Sequence, residues 1–105
     1  MARFDVYRNV GPHAESTPYL VDVQSSLLDG LDTSVVVPLR RLDCFPVGKL
    51  PTRLCPVFDI EGHACLIETP KLAAVPRRLL KEPVTSLALQ HDRVTGALDF
   101  LFQGF

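Results

Sequence analysis

Hydrophobic and polar positions along the chain change period once, and the change separates two kinds of structure. From Arg3 to Arg8 the residues alternate, with Phe4 and Val6 set against Arg3, Asp5 and Tyr7. This is the two-residue period of a strand with one buried face. The run Tyr19–Gln24 repeats it: Tyr19, Val21 and Val23 fall on one face, Leu20, Asp22 and Gln24 on the other. Between the two, Asn9 to Pro18 carries Asn, Gly, Ser and Pro and reads as a loop. A β-branched run, Val35-Val36-Val37, predicts a third strand. Pro38 has no N–H to give a ladder, which predicts that this strand ends there or lies at an edge. Asp43 to Pro51, with two prolines and a glycine, predicts a connection. Cys55–Ile60 and His63–Glu68 predict a hairpin turning at Glu61-Gly62, since Gly adopts positive φ at little cost. Leu72–Val75 predicts one more short strand.

Past Pro83 the apolar positions follow a helix. Val94, Ala97, Leu98, Leu101 and Phe105 form the stripe of a helix that starts near Gln90. Asp92 falls in its first turn, where the macrodipole favours a carboxylate; Asp99 falls near its end, where the same dipole opposes one by a few tenths of a kcal/mol. Gly96 costs about 1 kcal/mol relative to Ala, so the helix depends on tertiary packing. Gly104 is placed to stop it. The whole pattern predicts a mainly β fold of α+β composition: one domain spanning residues 1–105, an SH3-like barrel or twisted antiparallel sheet, with a single C-terminal helix.

Two apolar groups do not fit a surface made only for solubility. Leu27 and Leu28 lie in a loop bounded by Ser25-Ser26 and Asp29-Gly30. Phe102 and Phe105 lie in the last five residues, where chains usually fray unless packed or partnered. These four residues are expected either to fill the core or to form a contact surface.

Composition narrows the classes. The chain has 105 residues, 47% hydrophobic and 22% charged, enough for one core and ordinary for a folded domain. A formal net charge of -1 argues against nucleic-acid binding through a strong overall field. Arg77, Arg78 and Lys81, between Pro76 and Pro83, form a basic run that is a solvated face or a phosphate contact. The start of the chain, Met1 to Val6, lacks the apolar run of a secretion signal, which predicts a cytoplasmic protein. No stretch approaches the roughly 20 apolar residues of a membrane span. Cys44, Cys55 and Cys65 are odd in number and lack CxxC spacing, so buried free thiols are expected. His13, His63 and His91 are scattered without chelating neighbours, and no metal or cofactor is expected. No nucleophile motif or glycine-rich phosphate loop is present, so no catalytic residue is assigned.

The residues Tyr19-Leu20-Val21-Asp22-Val23-Gln24-Ser25-Ser26-Leu27-Leu28-Asp29, with a helix ending in Gly104-Phe105, resemble the CcdB toxins of bacterial type II toxin–antitoxin modules. Phe4-Asp5-Val6-Tyr7, Val36-Val37-Pro38-Leu39, Leu54 to Ile60 and Ala74-Val75-Pro76 extend the resemblance over nearly the full length. It implies a homodimer of an SH3-like barrel related to the MazF fold. It also implies a function without bond-making: the toxin binds the A subunit of DNA gyrase and traps the enzyme on cleaved DNA. The gyrase contacts it implies are Leu27, Leu28, Asp99, Phe102, Gln103, Gly104 and Phe105. A labile antitoxin with a disordered tail, like that of the family, is the second implied partner, with Arg8, Arg40 and Arg41 as its candidate contacts. The chain departs from the family pattern in having Gln103 where the family has tryptophan, and Asp99 where it has a neutral amide. Two alternatives stand beside this reading. One is a diverged interaction protein of the same fold with another target; the other is a MazF-like endoribonuclease using Thr52 and Arg53.

Overall fold

Among the residues that the computed structural model describes, 2–46, 48 and 51–105, seven antiparallel strands and one helix carry the fold. The strands are β1 (Asp5–Arg8), β2 (Tyr19–Asp22), β3 (Thr33–Arg41), β4 (Val57–Ile60), β5 (His63–Ile67), β6 (Ala73–Pro76) and β7 (Thr85–Ser86), and the helix is α1 (His91–Gln103). They lie in the order β4-β5-β3-β2-β1-β7, with β6 also paired to β3. The sheet curls into a nearly closed barrel. Glu61, in the β4–β5 turn, accepts a 2.6 Å hydrogen bond from the Tyr19 hydroxyl on β2 and a 3.1 Å bond from Arg8 on β1. Strands far apart in the sheet order therefore meet through one carboxylate.

The predicted alternation places the core correctly. Val6, Tyr19, Val21, Val23, Val37, Leu39, Phe58, Ile60, Cys65 and Ile67 form one buried cluster with Val94 and Ala97 of α1. The hairpin turns where expected, Glu61 and Gly62 taking φ of 53° and 84°. Two successive positive φ values match the right-handed twist of the flanking strands.

Four expectations are corrected. Pro38 does not end β3, which runs on to Arg41 in the middle of the sheet. On one side β3 pairs with β6 through Val36 and with β5 from Leu39, so Pro38 sits at the changeover. Its carbonyl, on the same side as its nitrogen, accepts from the Glu68 N–H at 2.9 Å, while its pairing with β2 is undisturbed. The first strand starts at Asp5, not Arg3, because Phe4 takes φ 75° to turn its ring into the core. Tyr7 is not on a solvated face: with Val36 and Leu80 it forms a second small cluster on the far side of the sheet, against which Leu20 and Val75 pack. Asp22 is buried on that side too, accepting from the Ser34 hydroxyl at 2.8 Å and the Gln24 N–H at 3.0 Å. Burial of the Tyr7 phenol, with Asp5 and Asp22 nearby, pushes its pKa up to about 12. Finally, the thiols are free, but only Cys55 and Cys65 are buried; Cys44 is exposed at the end of a short 3-10 turn leaving β3.

Of the predicted connection Asp43–Pro51, Val47, Lys49 and Leu50 lie outside the described residues, as does Met1 at the start of the chain.

Candidate binding surface

Helix α1 is laid on the barrel by Val94 and Ala97, both fully buried, with Leu98 packed beside them. Arg93 fastens it further, its guanidinium 4.4 Å from the Phe58 ring and donating to the Val57 carbonyl at 2.7 Å. At the far end Arg53 lies 4.6 Å over the Phe100 ring. Gly104 takes φ 80° and donates to the Phe100 carbonyl at 2.9 Å, closing the helix with a left-handed cap. The apolar stripe does not continue through the cap. Phe102 is 71% exposed and Phe105 75%, so neither fills the core. Asp99, Gln103 and Gly104 are exposed with them. A capped helix thus ends in two aromatic rings open to solvent.

Leu27 and Leu28 occupy a 3-10 turn, Ser26–Leu28, that buries no residue. Ser25 caps it, its hydroxyl accepting from the Leu27 N–H at 3.2 Å. Leu27 is 94% exposed and Leu28 nearly half exposed. Leu31, which the sequence pattern did not single out, is exposed in the same loop, because the chain passes from Asp29 to Thr33 without re-entering the core. The loop and the helix end are held by different groups: the loop by Arg3 and Arg77, the helix end by Arg53 and the Gly104 cap.

The basic residues Arg8, Arg40 and Arg41 do not share one surface. Arg40 and Arg41 are consecutive in a strand and point to opposite faces. Arg40 lines a groove of about 390 Å³ with Asn9, His13, Thr17, Leu20 and Lys71. Glu68 stands there 3.5 Å from both Arg40 and Lys71, offsetting their charge. Arg41 pairs with Asp43 at 2.7 Å beside His63, and Arg8 pairs with Glu61. Nor do Arg77, Arg78 and Lys81 act together. Arg77 and Arg78 line one hollow with Leu31 and Asp32, Arg77 turning onto the leucine loop, whereas Lys81 lines a separate groove with Arg8, Val10, Leu79 and Val84. Thr52 and Arg53 border a shallow hollow with Asp92, Arg93 and Gly96, where Arg53 stacks on Phe100.

These features define a class: a small β-barrel whose helix end and, separately, one loop present apolar side chains outward. The profile of the family described as CcdB protein matches residues 3–104, nearly the whole chain. The chain belongs to the CcdB family, and membership supports reading it as the toxin of a toxin–antitoxin pair. Among the described residues no helix is long and apolar enough to cross a membrane.

Proposed function

We propose that this chain is a cytoplasmic toxin that acts as a homodimer by binding the A subunit of DNA gyrase and holding the enzyme on cleaved DNA. A CcdA-like antitoxin neutralises it. The observation that carries the reading is the pair of solvent-facing rings, Phe102 and Phe105, on a helix stopped by a left-handed Gly104. Two copies related by a two-fold axis would set two such ends side by side, giving one apolar patch suited to a partner of the same symmetry. Asp99, Gln103 and Gly104 complete that tip, and Leu27 and Leu28 form a second contact on a separate loop. Arg8 and Arg41, either side of the Glu61–His63 turn, and Arg40, in a separate groove, serve the antitoxin, a distribution that suits an extended tail wrapping the toxin. The action is binding alone, with no catalytic residue.

Inducing the chain in a bacterial host tests the proposal. Growth arrest with linearised DNA is expected, and removal of Gly104 and Phe105 should abolish it while the purified protein keeps its unfolding transition. Normal growth with intact DNA would overturn it. Gln103 motivates one other reading: a tip that lacks the family's tryptophan has shifted to another protein target. Growth arrest without DNA cleavage is the outcome that favours that reading. Purified chain that degrades RNA would favour an endoribonuclease built on Thr52 and Arg53.

A further inference from the structure

The leucine loop is exposed along its whole length, every residue from Ser25 to Thr33 standing in solvent. With Leu27 in solvent and Leu28 and Leu31 only about half covered, apolar burial contributes little and polar contacts hold the segment. Its internal bonds are short-range: Leu28 N–H to the Ser25 carbonyl, Asp29 N–H to Ser26, and Leu31 N–H to Leu28. What ties it to the body, beside a bond from the Arg3 N–H to the Ser26 hydroxyl, is chiefly one side chain just past the end of the neighbouring strand β6. The Arg77 Nε donates to the Leu31 carbonyl at 3.0 Å, and its Nη2 reaches the Leu28 carbonyl at 3.4 Å. Its Nη1 stands 3.7 Å from the Asp29 carboxylate, and its backbone N–H donates to the Asp32 carbonyl at 2.8 Å. One residue thus grips positions 28, 29, 31 and 32, with a side chain that is only 18% exposed although it carries a charge.

We propose that Arg77 is the positioning residue of this surface: it fixes the loop in advance so that Leu27, Leu28 and Leu31 meet a protein partner as one rigid apolar face. The inference rests on the reading of the leucine loop as part of the gyrase-binding surface. The chemistry requires arginine. A planar guanidinium with several N–H donors in a fixed fork can serve two carbonyls and a carboxylate together, whereas an ammonium is a single point charge on a flexible stem. A loop ordered before encounter spares the complex the cost of ordering it, so the effect falls on affinity.

The test compares Arg77→Lys with the unaltered full-length chain. Amide hydrogen exchange at Leu28, Asp29 and Leu31 in the free protein should rise on the order of tenfold, with the core amides of β2 and β3 unchanged. Affinity for purified gyrase A subunit should fall on the order of tenfold. The double variant Leu27→Ala/Leu28→Ala should weaken binding as well, and adding Arg77→Lys to it should cost little more, because both act through the same contact. Unaltered loop exchange overturns the proposal. So does faster exchange with undiminished gyrase A affinity in a chain whose leucine variant binds weakly. If the leucine variant binds gyrase A as well as the parent does, the loop is not a gyrase contact; that part of the proposed function falls, and the docking role of Arg77 falls with it. Asp29→Ala, on the exposed side of the same contact, covers the case of a poorly folded Arg77 variant. It should loosen the same amides to a smaller degree, and no loosening would again overturn the tether.

Discussion

At the scale of single residues, the tip of the helix sets the sharpest expectation. Gln103 is exposed between Phe102 and Gly104, where the resemblance to the family implies a tryptophan. Glutamine offers no π face to a cationic partner, and a stacked cation contributes about 0.5–2 kcal/mol. Gln103→Trp should therefore tighten binding to gyrase A subunit several-fold, measured by calorimetry, with the unfolding midpoint unchanged. Glu61 sets a second expectation. The hydrogen bond from the Tyr19 hydroxyl, with Arg8 adding, holds its carboxyl below the usual glutamate range. A carboxyl depressed in the folded state stabilises the fold above its unfolded pKa, and the benefit disappears as pH falls through the folded value. Tyr19→Phe should therefore lessen the loss of stability on acidification below about pH 4.5, the ordinary glutamate value. Acid titration followed by circular dichroism measures this. On the alkaline side the sign reverses. Tyr7 and Tyr19 are both raised to about 12, chiefly by burial. The stability they contribute is intact below pH 10 and declines as pH rises from there toward 12, which phenolate absorbance can follow.

At the scale of elements, α1 is held at its two ends and by its buried face more than by its own propensity. Gly96 sits inside it, and a Cβ built there meets nothing within 4 Å. Gly96→Ala should therefore stabilise the protein by about 1 kcal/mol, a rise of several degrees in unfolding temperature. No rise would mean that the exposed helix face is already occupied, for instance by a second copy. Gly104 behaves oppositely, since its φ of 80° is one that side chains with a Cβ resist. Gly104→Ala should loosen the last turn, visible as faster exchange at its own amide, which bonds to Phe100. Strand β3 shows the same dependence on context. Its Pro38 is tolerated mid-sheet because one flank changes partner at that point, a circumstance no local propensity contains.

At the scale of the whole molecule, the barrel is a frame that leaves the leucine loop and the helix tip outside it. The proposed dimer should appear in sedimentation at micromolar concentration, and the chain lacking Gly104 and Phe105 should keep its barrel and lose its toxicity. The frame itself was largely readable from the chain. Alternation in β1 and β2 marks the inward face because a half-buried strand must bury every second residue. The step to a period of 3.6 marks α1 for the same reason applied to a helix. The leucine pair stood out because it sits in a loop between polar residues, and the terminal rings because chain ends usually fray into polar residues. What lay beyond the sequence depends on neighbours distant in the chain. Tyr7 and Asp22 are buried because the segment after β6, with Leu80, covers the outer face of the sheet. Arg40 and Arg41, adjacent in sequence, part company because a strand turns them to opposite faces. Leu31 and the grip of Arg77 emerge only when residues 28–32 and 77 are brought together.

The sequence by itself determined the class of fold, the inward faces and the oddly placed apolar residues, since each follows from periodicity and local backbone preference. Only the tertiary structure decided which side of the sheet is covered twice, which basic residues act together and what holds the leucine loop, because those outcomes are set by long-range pairing and not by any stretch of chain alone.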